Sequence, residues 1–290
     1  SKIIGNEVLY AGGGGLVLYK SDAILINVQI SNNSAIHQGA MQISDCDPIF
    51  KYVSITNNSQ VMTSHNLIRF DYSNPTFENT TIAHNERGIY INPYCEPSFT
   101  NVIIWNNNQS GINFPQNTTI NYSDIEGLSA LGETNINSDP LFVDPDNGNF
   151  NLQNIDNVIS PCIDTGTTDT DGDGQDDITD YYGQAPDMGA FEWLPEIPGC
   201  MDESACNYNP NANIDNGSCN YYIPEPGDAN DDESVNILDV VYIVSYIMWN
   251  NDIEYPCALD INGDYTIDII DVVMLVNCIL TPGSFCNPDD

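Results

Sequence analysis

Isoleucines recur in the first part of the chain at one position of a polar–apolar alternation. Ile30, Ile55, Ile82, Ile104 and Ile125 follow one another at spacings of 25, 27, 22 and 21 residues. A bulky apolar residue stands five places before each of them, and a Val, Thr or Ser stands two places before. Alternation with a period of two predicts β-strands. An Asn-Asn or His-Asn pair follows the first four isoleucines, which predicts a recurrent corner.

Repeats of this length predict a solenoid, because one unit cannot bury its apolar edge alone and must stack on its neighbours. We expect coils over about residues 11–127, about 4.8 Å apart, with the corner asparagines forming a ladder of hydrogen bonds. A helical repeat of similar length is the alternative. The Val, Ile, Thr and Phe alternation and the Asn, Gly and Pro corners argue against it.

This segment resembles the right-handed parallel β-helix proteins of the pectate-lyase-like superfamily. The resemblance continues through residues 139–144, 160–164 and 187–192, which are similar to the C-terminal cap of secreted bacterial members. It implies a mainly β domain over residues 1–194, in which residues 128–194 form the cap. Such a cap is expected to cover the last coil, since an open strand edge invites pairing with other chains.

Two twelve-residue segments near the end of the chain, offset by 32 residues, carry oxygen-bearing side chains at positions 1, 3, 5, 7, 9 and 12. Calcium takes six to eight oxygen ligands, and position 7 normally offers its backbone carbonyl. The spacing predicts two calcium sites, formed by Asp228, Asn230, Asp232, Ser234, Asn236 and Asp239, and by Asp260, Asn262, Asp264, Thr266, Asp268 and Asp271. Position 6, usually Gly, is Glu233 and Tyr265, which predicts either weaker binding or a strained loop.

Each of these loops runs into an apolar helical segment, and the pair resembles a dockerin over about residues 227–281. The resemblance implies a small all-α calcium-binding domain, here residues 227–290, that docks to a cohesin-like partner. Dockerin specificity usually lies at positions 10 and 11, which are Ile237, Leu238, Ile269 and Ile270. These four apolar residues form either a hydrophobic docking face or part of the core.

A third candidate calcium loop lies within the expected cap. Its acids stand at positions 1, 3, 5, 9 and 12, and are Asp169, Asp171, Asp173, Asp177 and Asp180. Gly174 occupies position 6, as in known calcium loops. Asp176 stands at position 8, where an apolar residue is usual, so a flexible acidic turn is the competing interpretation.

Residues 195–226 resemble a small Cys-rich, Asx-rich module of multidomain secreted bacterial proteins. The segment is too short for a core of its own, so we expect a disulfide. Its asparagines either bind calcium or make turns, and turns are favoured. The disulfide candidates are Cys200, Cys206, Cys219, Cys257, Cys278 and Cys286, which allow 15 pairings.

The other three cysteines fall in the predicted solenoid and cap. Cys46 and Cys95 occupy equivalent places two coils apart, too far to bridge. We expect both unpaired and Cys162 buried. The six crowded cysteines beside calcium loops indicate an extracellular, oxidising location.

The formal net charge of −37 restricts the partners. It excludes nucleic-acid binding by phosphate neutralisation and disfavours anionic membranes. No stretch approaches the roughly 20 apolar residues of a membrane span, and the sequence shows no signal peptide. A mature or truncated product of a secreted, bacterial-type protein is expected.

The basic and acidic side chains of the repeat do not form a recognisable catalytic set. The resemblance implies that a lyase would use an Arg or Lys beside acid-bound calcium, but Lys51, Arg69 and Arg87 take different places in their coils. Sugar hydrolysis needs two carboxylates across a groove, and a corner cluster of Asp45, Asp47 and Asp71 is more typical of solvated turns. The histidines share no spacing.

The sequence therefore favours a non-catalytic, secreted structural or assembly protein. The β-helix would serve as a rigid spacer or binding surface, and the dockerin-like domain would dock to a cohesin-type partner or to a neighbouring copy. Contact between unlike surfaces of identical copies can build a filament or surface layer. The alternative is a polysaccharide-active or carbohydrate-binding β-helix protein, for which Tyr72, Tyr90, Tyr94 and Trp105 are candidate aromatic contacts.

Overall fold

The structure is a computed structural model that describes residues 1–61, 66–108, 114–128, 132–155, 158–222, 225–249 and 256–281. The chain forms two compact units, Ser1–Leu194 and Pro195–Asp290. The first unit is a right-handed parallel β-solenoid of about five turns with a C-terminal extension, and the described helices longer than one turn lie in the second unit.

The solenoid is built from short strands that pair only in parallel in the described coils. In chain order they are β1 (Lys2–Ile4), β2 (Glu7–Gly12), β3 (Leu16–Tyr19), β4 (Ile24–Ile26), β5 (Gln29–Ser31), β6 (Ser34–His37), β7 (Met41–Ser44), β8 (Ile49–Lys51), β9 (Ser54–Thr56), β10 (Ser59–Gln60), β11 (Ile68–Asp71), β12 (Thr76–Ala83), β13 (Ile89–Ile91), β14 (Ser98–Trp105), β15 (Thr119–Asn121) and β16 (Asp124–Ile125).

Three sheets run along the solenoid. The largest contains β1, β5, β9, β12, β14 and β15 in that order, with β4, β8 and β16 paired to it, and the other two are β2–β6–β10 and β3–β7–β11–β13. Each sheet grows by one strand per coil, which is the arrangement that a parallel solenoid requires.

The isoleucine repeat sets the register of the coils. Ile30, Ile55, Ile82, Ile104 and Ile125 are paired in that order in adjacent coils and are all fully buried. A second apolar column runs beside it, formed by the buried Phe50, Phe77 and Phe99 with the partly buried Leu25 and Ile120 at its ends. Within it, the rings of Phe50 and Phe77 stack with centroids 4.6 Å apart, and those of Phe77 and Phe99 stack at 5.1 Å. The register predicted from the sequence is confirmed.

The column extends one coil further toward the N-terminus than the repeat indicated. Ile3 on β1 pairs with Ile30, so strands begin at Lys2 rather than near residue 11. The sequence repeat does not reveal this coil, because the bulky residue five places before Ile3 would lie before Ser1. A single isoleucine without the rest of its repeat unit gives no periodic signal in the sequence.

The corner asparagines form the predicted ladder. Asn33, Asn58, Asn85 and Asn107 are buried, and each donates its side-chain amide to a backbone carbonyl of the preceding coil at 2.6–2.9 Å. The side-chain oxygens of Asn58, Asn85 and Asn107 also accept from the backbone and side chain of the asparagine before them. Every coil is thereby tied to the next through buried polar groups that are fully used.

Each coil turns at residues with left-handed backbone conformation. The residue before each ladder asparagine has a φ of 51–55°, and these residues are Asn32, Asn57, His84 and Asn106. Asn tolerates this conformation better than other residues with a Cβ, which accounts for the paired asparagines. His84 stands at such a corner rather than in the buried ladder, and its ring nitrogen lies 3.2 Å from the Asn106 amide.

The segment after the coils divides its contacts between the end and the flank of the solenoid. Ile136 pairs with Asp124 on the last coil, and Asn135 binds the backbone nitrogen of Ser123 at 3.0 Å. The remainder includes β17 (Phe142–Asp144), a short 3₁₀ helix (Pro145–Asn147), β18 (Asn149–Leu152), β19 (Asn154–Ile155) and β20 (Val158–Ile159).

The cap was expected to cover the last coil. Most of this extension instead covers the flank of the large sheet. Its buried Phe142, Phe150 and Met188 pack on Ala83 and Ile103, apolar residues that the solenoid points outward. Gly189 donates its backbone N–H to the Asn101 carbonyl at 2.8 Å. A Cβ at Gly189 would lie 2.8 Å from the Thr81 hydroxyl, so only glycine allows this approach.

Asp187 makes the stability of this unit depend on pH. Its side chain is buried and accepts backbone hydrogen bonds from Asp164 and Trp193, and burial raises its pKa to about 7. The folded state therefore holds a proton that the unfolded state releases above about pH 4, and this contribution to stability is lost as the pH rises through 7.

We expect the thermal midpoint of the solenoid to rise on acidification from pH 8 to pH 5, with Asp187 contributing on the order of 2 kcal/mol. Burial also raises the pKa of Asp124, to about 6, in the same direction. Calorimetry of wild type and Asp187→Asn across this range isolates the Asp187 contribution, because general charge repulsion is nearly the same in both. Parallel pH profiles for the two proteins would contradict the assignment.

The second unit joins a small Cys-rich segment to three helices. Its elements are β21 (Pro198–Gly199), β22 (Ile214–Asp215), α1 (Ile237–Trp249), α2 (Pro256–Leu259) and α3 (Ile269–Leu280). The core includes Val240 and Ile243 of α1 packed with Val272 and Leu275 of α3. Asn236 and Asp268 cap α1 and α3 by accepting the N–H groups of Leu238 and Ile270.

Disulfides hold this unit together. Cys200 bonds to Cys219 within the Cys-rich segment, and Cys206 bonds to Cys257 beside α2. The expected disulfide support is confirmed, and these two pairings are ones that the sequence left open. Cys286 lies outside the described residues. In the first unit Cys46 and Cys95 form no disulfide and Cys162 is buried, as expected.

Candidate functional site

The first candidate calcium loop is organised around two buried aspartates. The Asp228 carboxylate accepts the N–H groups of Asp232 and Glu233 at 3.0 and 2.8 Å. Asp239, at position 12 and within α1, accepts those of Ala229, Asn230 and Asn236 at 2.8–3.3 Å. The loop is thus folded around its first and last acids.

The second loop repeats this geometry. Asp260 accepts the N–H groups of Gly263, Asp264 and Tyr265, and Asp271 accepts those of Ile261, Asn262 and Asp268. Asn230 and Asn262, both at position 3, accept the N–H of their position 5 residue. The repeat of 32 residues is therefore a repeat in three dimensions as well.

Position 6 is strained in both loops. Glu233 and Tyr265 have φ angles of 66° and 61°, in the left-handed region where glycine is usual. A residue with a Cβ costs roughly 1–2 kcal/mol there. Of the two consequences expected from the sequence, backbone strain is the one present in the structure.

The residues of both loops fit a calcium ion. Asp239 and Asp271 are fully buried and Asp228 is 2% exposed, and buried carboxylates need a compensating cation. The second unit itself supplies none, because every Lys, Arg and His lies at or before Arg87. Carboxylate and amide oxygens in this spacing are hard ligands suited to calcium. That absence of basic residues could have been read from the sequence.

The four residues at positions 10 and 11 lie outside the core. Ile237, Leu238, Ile269 and Ile270 are 61%, 57%, 64% and 51% exposed. One turn further, Val241 and Val273 are also exposed. These six residues, called the docking face, lie at the start of α1 and α3, where each helix overlaps the last positions of a calcium loop. Large exposed apolar side chains grouped beside a structured loop are typical of interaction surfaces.

The Cys-rich segment contacts both calcium loops. The Tyr222 hydroxyl donates to Asp231 of the first loop at 3.2 Å, and the Tyr208 ring packs edge-on against Tyr265 of the second, with centroids 5.3 Å apart. Asn209 accepts the N–H of Asn211 in a local turn. Asn213 accepts the N–H of Ile197, and the Asn207 amide donates to the Ser218 carbonyl, so these two asparagines connect distant parts of the segment.

The third loop shares the first half of this geometry. Asp169 accepts the N–H groups of Gly172, Asp173 and Gly174, as Asp260 does at the equivalent positions. Gly172 and Gly174 adopt the left-handed conformation also found at positions 4 and 6 of the other loops.

The second half of the third loop differs. Carboxylate oxygens of Asp169, Asp171 and Asp177 lie within 4.8 Å of one another, while Asp173 and Asp180 stand outside this group. Asp177, at position 9, binds the backbone and hydroxyl of Thr170, and these bonds lower its pKa. It thereby takes the part that position 12 plays in the other two loops.

Two bases of the coils are paired with acids. Lys51 pairs with Glu78 at 2.7 Å, and Arg69 forms two bonds to Asp71. The Asp47 side chain accepts the N–H of Asn74, and the Asp47 backbone N–H donates to the Asp22 carboxylate, so Asp47 lies in an exposed corner ladder. The candidate aromatics spread over several places: the Tyr72 and Tyr94 rings stack with centroids 6.1 Å apart, and Arg69 lies over Tyr90.

Comparison with known families agrees with this architecture. Residues 1–138 match the family described as right handed beta helix region, and residues 226–280 match the family described as dockerin type I domain. The chain therefore combines a right-handed parallel β-helix with a dockerin type I domain. No curated protein and no solved structure matches it.

The dockerin domain indicates the ion, the location and the partner type that are general for its family. Dockerin type I domains generally bind calcium, occur in extracellular or cell-surface proteins, and imply a partner of the cohesin type. Among the helices of the described residues, none combines the length and apolar character needed to cross a bilayer.

Proposed function

We propose that this protein is a secreted, non-catalytic component of an extracellular assembly, attached through its dockerin domain to a cohesin-type partner. The β-helix serves as a rigid spacer or binding surface. The observation that carries this proposal is the docking face, which exposes six aliphatic side chains at the C-terminal ends of two calcium loops.

Calcium has a structural part in this proposal. The loops 228–239 and 260–271 hold one ion each, and each ion fixes the start of the helix that carries half of the docking face. The attraction between the ion and the buried carboxylates offsets the backbone strain at Glu233 and Tyr265. A third ion binds in the extension of the β-helix through Asp169, Asp171 and Asp177.

The non-catalytic part of the proposal rests on the state of the charged groups in the coils. Lys51 and Arg69 are both held by carboxylates of their own sheet, so neither is free to act as a base. Asp47 and Asp71 are also bonded, to Asn74 and Arg69. A pair of carboxylates across a groove, as hydrolysis would need, is not suggested by this arrangement.

The docking test uses the full chain and a panel of type I cohesins in isothermal titration, with calcium and then with chelator. We expect calcium-dependent binding that the double variant Leu238→Asp, Ile270→Asp weakens by about tenfold or more, because buried interface anchors carry most of the binding energy. Met201→Asp is the matched control, since Met201 is an exposed apolar residue of the same unit outside the docking face.

Light scattering on the same samples distinguishes a cohesin from a neighbouring copy as the partner. Large particles that disperse on chelation, and that the double variant does not form, would assign the docking face to self-assembly into filaments or a surface layer. A calcium-loaded monomer that binds no cohesin of the panel would overturn the docking proposal.

A further inference from the structure

A cleft of about 520 Å³ lies on the large sheet of the β-helix, beside the C-terminal extension. This volume falls in the range of small-molecule sites. Its floor belongs to the first coils and its walls to residues 147–151 and 190–191. None of the candidate residues discussed for catalysis, calcium or docking lines it.

The floor is a row of equivalent side chains from successive coils. Lys2, Gln29, Ser54 and Thr81 are paired in that order in the large sheet. The backbone of Ala190 covers Thr81 by donating to its hydroxyl at 2.9 Å. The cleft opens where this cover ends, so three polar side chains about 4.8 Å apart are left facing it.

A second row runs along the corner beside the first. Asn27 and Tyr52 share its left-handed conformation with Asn79 and Asn101. The extension binds the amides of Asn79 and Asn101 through the carbonyls of Asp187 and Thr167. Asn27 and Tyr52 have no such cover and line the cleft.

The amide groups in the cleft are available to a ligand. The side chains of Asn27, Gln29 and Asn151 form no hydrogen bond with any of the described residues. Each amide offers donors and an acceptor together, which matches hydroxyl groups that also donate and accept. Tyr52 and Phe191 are about one-third exposed and add aromatic surface.

The charges of the cleft and of the whole protein limit the class of ligand that the cleft can bind. The described residues that line the cleft include no carboxylate, although the chain has 42 Asp and Glu residues. A cation would therefore find no negatively charged ligand there. Lys2 is the one basic side chain among the described lining residues, and a protein with a net charge of −37 repels an acidic polymer. A neutral ligand rich in hydroxyl groups remains.

We propose that this amide-lined cleft binds a neutral oligosaccharide. The hydroxyls bond to Gln29, Ser54 and the asparagine side chains, and a sugar face rests on the ring of Tyr52 or Phe191, which combine an apolar face with a fixed position. The site is separate from the docking face and does not depend on the docking proposal.

The test measures binding of cellohexaose, xylohexaose, mannohexaose and chitohexaose to the full chain by titration calorimetry and ligand-observed NMR, with polygalacturonate as the acidic comparison. At least one neutral probe should bind. The double variant Gln29→Ala, Asn151→Ala should weaken that binding by about tenfold or more, since two hydrogen-bonding groups are removed. Phe191→Ala should weaken it as well.

Gln42→Ala is the matched control, because Gln42 is a half-buried residue of β7 on a different sheet. It should leave binding within about twofold of wild type. The proposal is overturned if none of the four neutral probes binds, if polygalacturonate binds instead, or if Gln42→Ala weakens binding as much as the double variant. Cohesin binding should be the same in all these variants, so failure here leaves the docking proposal standing.

Discussion

Removing calcium should unfold the dockerin domain and leave the β-helix folded. We expect chelator to abolish most of the helical circular dichroism that α1 and α3 contribute, while the sheet signal and the thermal transition of the first unit persist. The physical reason is that Asp228, Asp239 and Asp271 are buried without any basic residue in the same unit. Leaving a buried charge uncompensated costs about 3–5 kcal/mol.

The size of the domain makes this cost decisive. A segment of about 55 residues buries too little apolar surface to tolerate several uncompensated charges. Its core, centred on Ile243 and Leu275, is small, and Cys206–Cys257 ties it to the Cys-rich segment without neutralising any charge. Binding energy of the metal is therefore largely folding energy.

Single-site variants sharpen the experiment. Asp271→Asn should remove the second site and reduce the number of ions bound by the dockerin from two to one in calorimetric titration. Glu203→Gln is the control, since Glu203 is exposed and lies outside the loops. Full retention of helical signal in chelator would refute the calcium assignment, and an unchanged ion count in Asp271→Asn would refute the role of position 12.

The parts of this structure that were predictable from sequence are those where a physical requirement repeats. Ile55 and Phe77 recur because each coil must bury the same positions against its neighbours, and their register follows from that alone. Asn58 recurs because only its amide satisfies both adjacent coils. The loop spacing from Asp228 to Asp239 is visible because an ion fixes the order of its ligands.

Other parts depend on contacts between segments that share no period. The extension packs on the flank because Ala83 and Ile103 face outward, and a β-strand with apolar residues on both faces is the only signal of this in the sequence. Asp177 replaces Asp180 in the third loop because Thr170 binds it, which spacing does not reveal. The pairing of Cys206 with Cys257 requires the folded unit.

The buried asparagine ladder should be the most sensitive polar feature of the β-helix. In Asn85→Ala, the backbone and side-chain amides of Asn58 lose their acceptor, and the Ile55 carbonyl and the Asn107 oxygen lose a donor. Each buried group left unsatisfied costs about 1–3 kcal/mol. Some of these groups will find water, so we expect a loss of about 3–5 kcal/mol in the free energy of unfolding.

Asn74→Ala provides a control of the same chemistry in an exposed place. Asn74 also connects adjacent coils, since its side chain accepts the N–H of Glu96 at 2.8 Å, but it lies at the surface. Water can replace that bond, so the expected loss is below about 1 kcal/mol. Denaturant unfolding of the two variants compares them directly. Equal losses would mean that coil-to-coil bonding stabilises the β-helix irrespective of burial, whereas a large loss confined to Asn85→Ala assigns the stabilisation to desolvated amides.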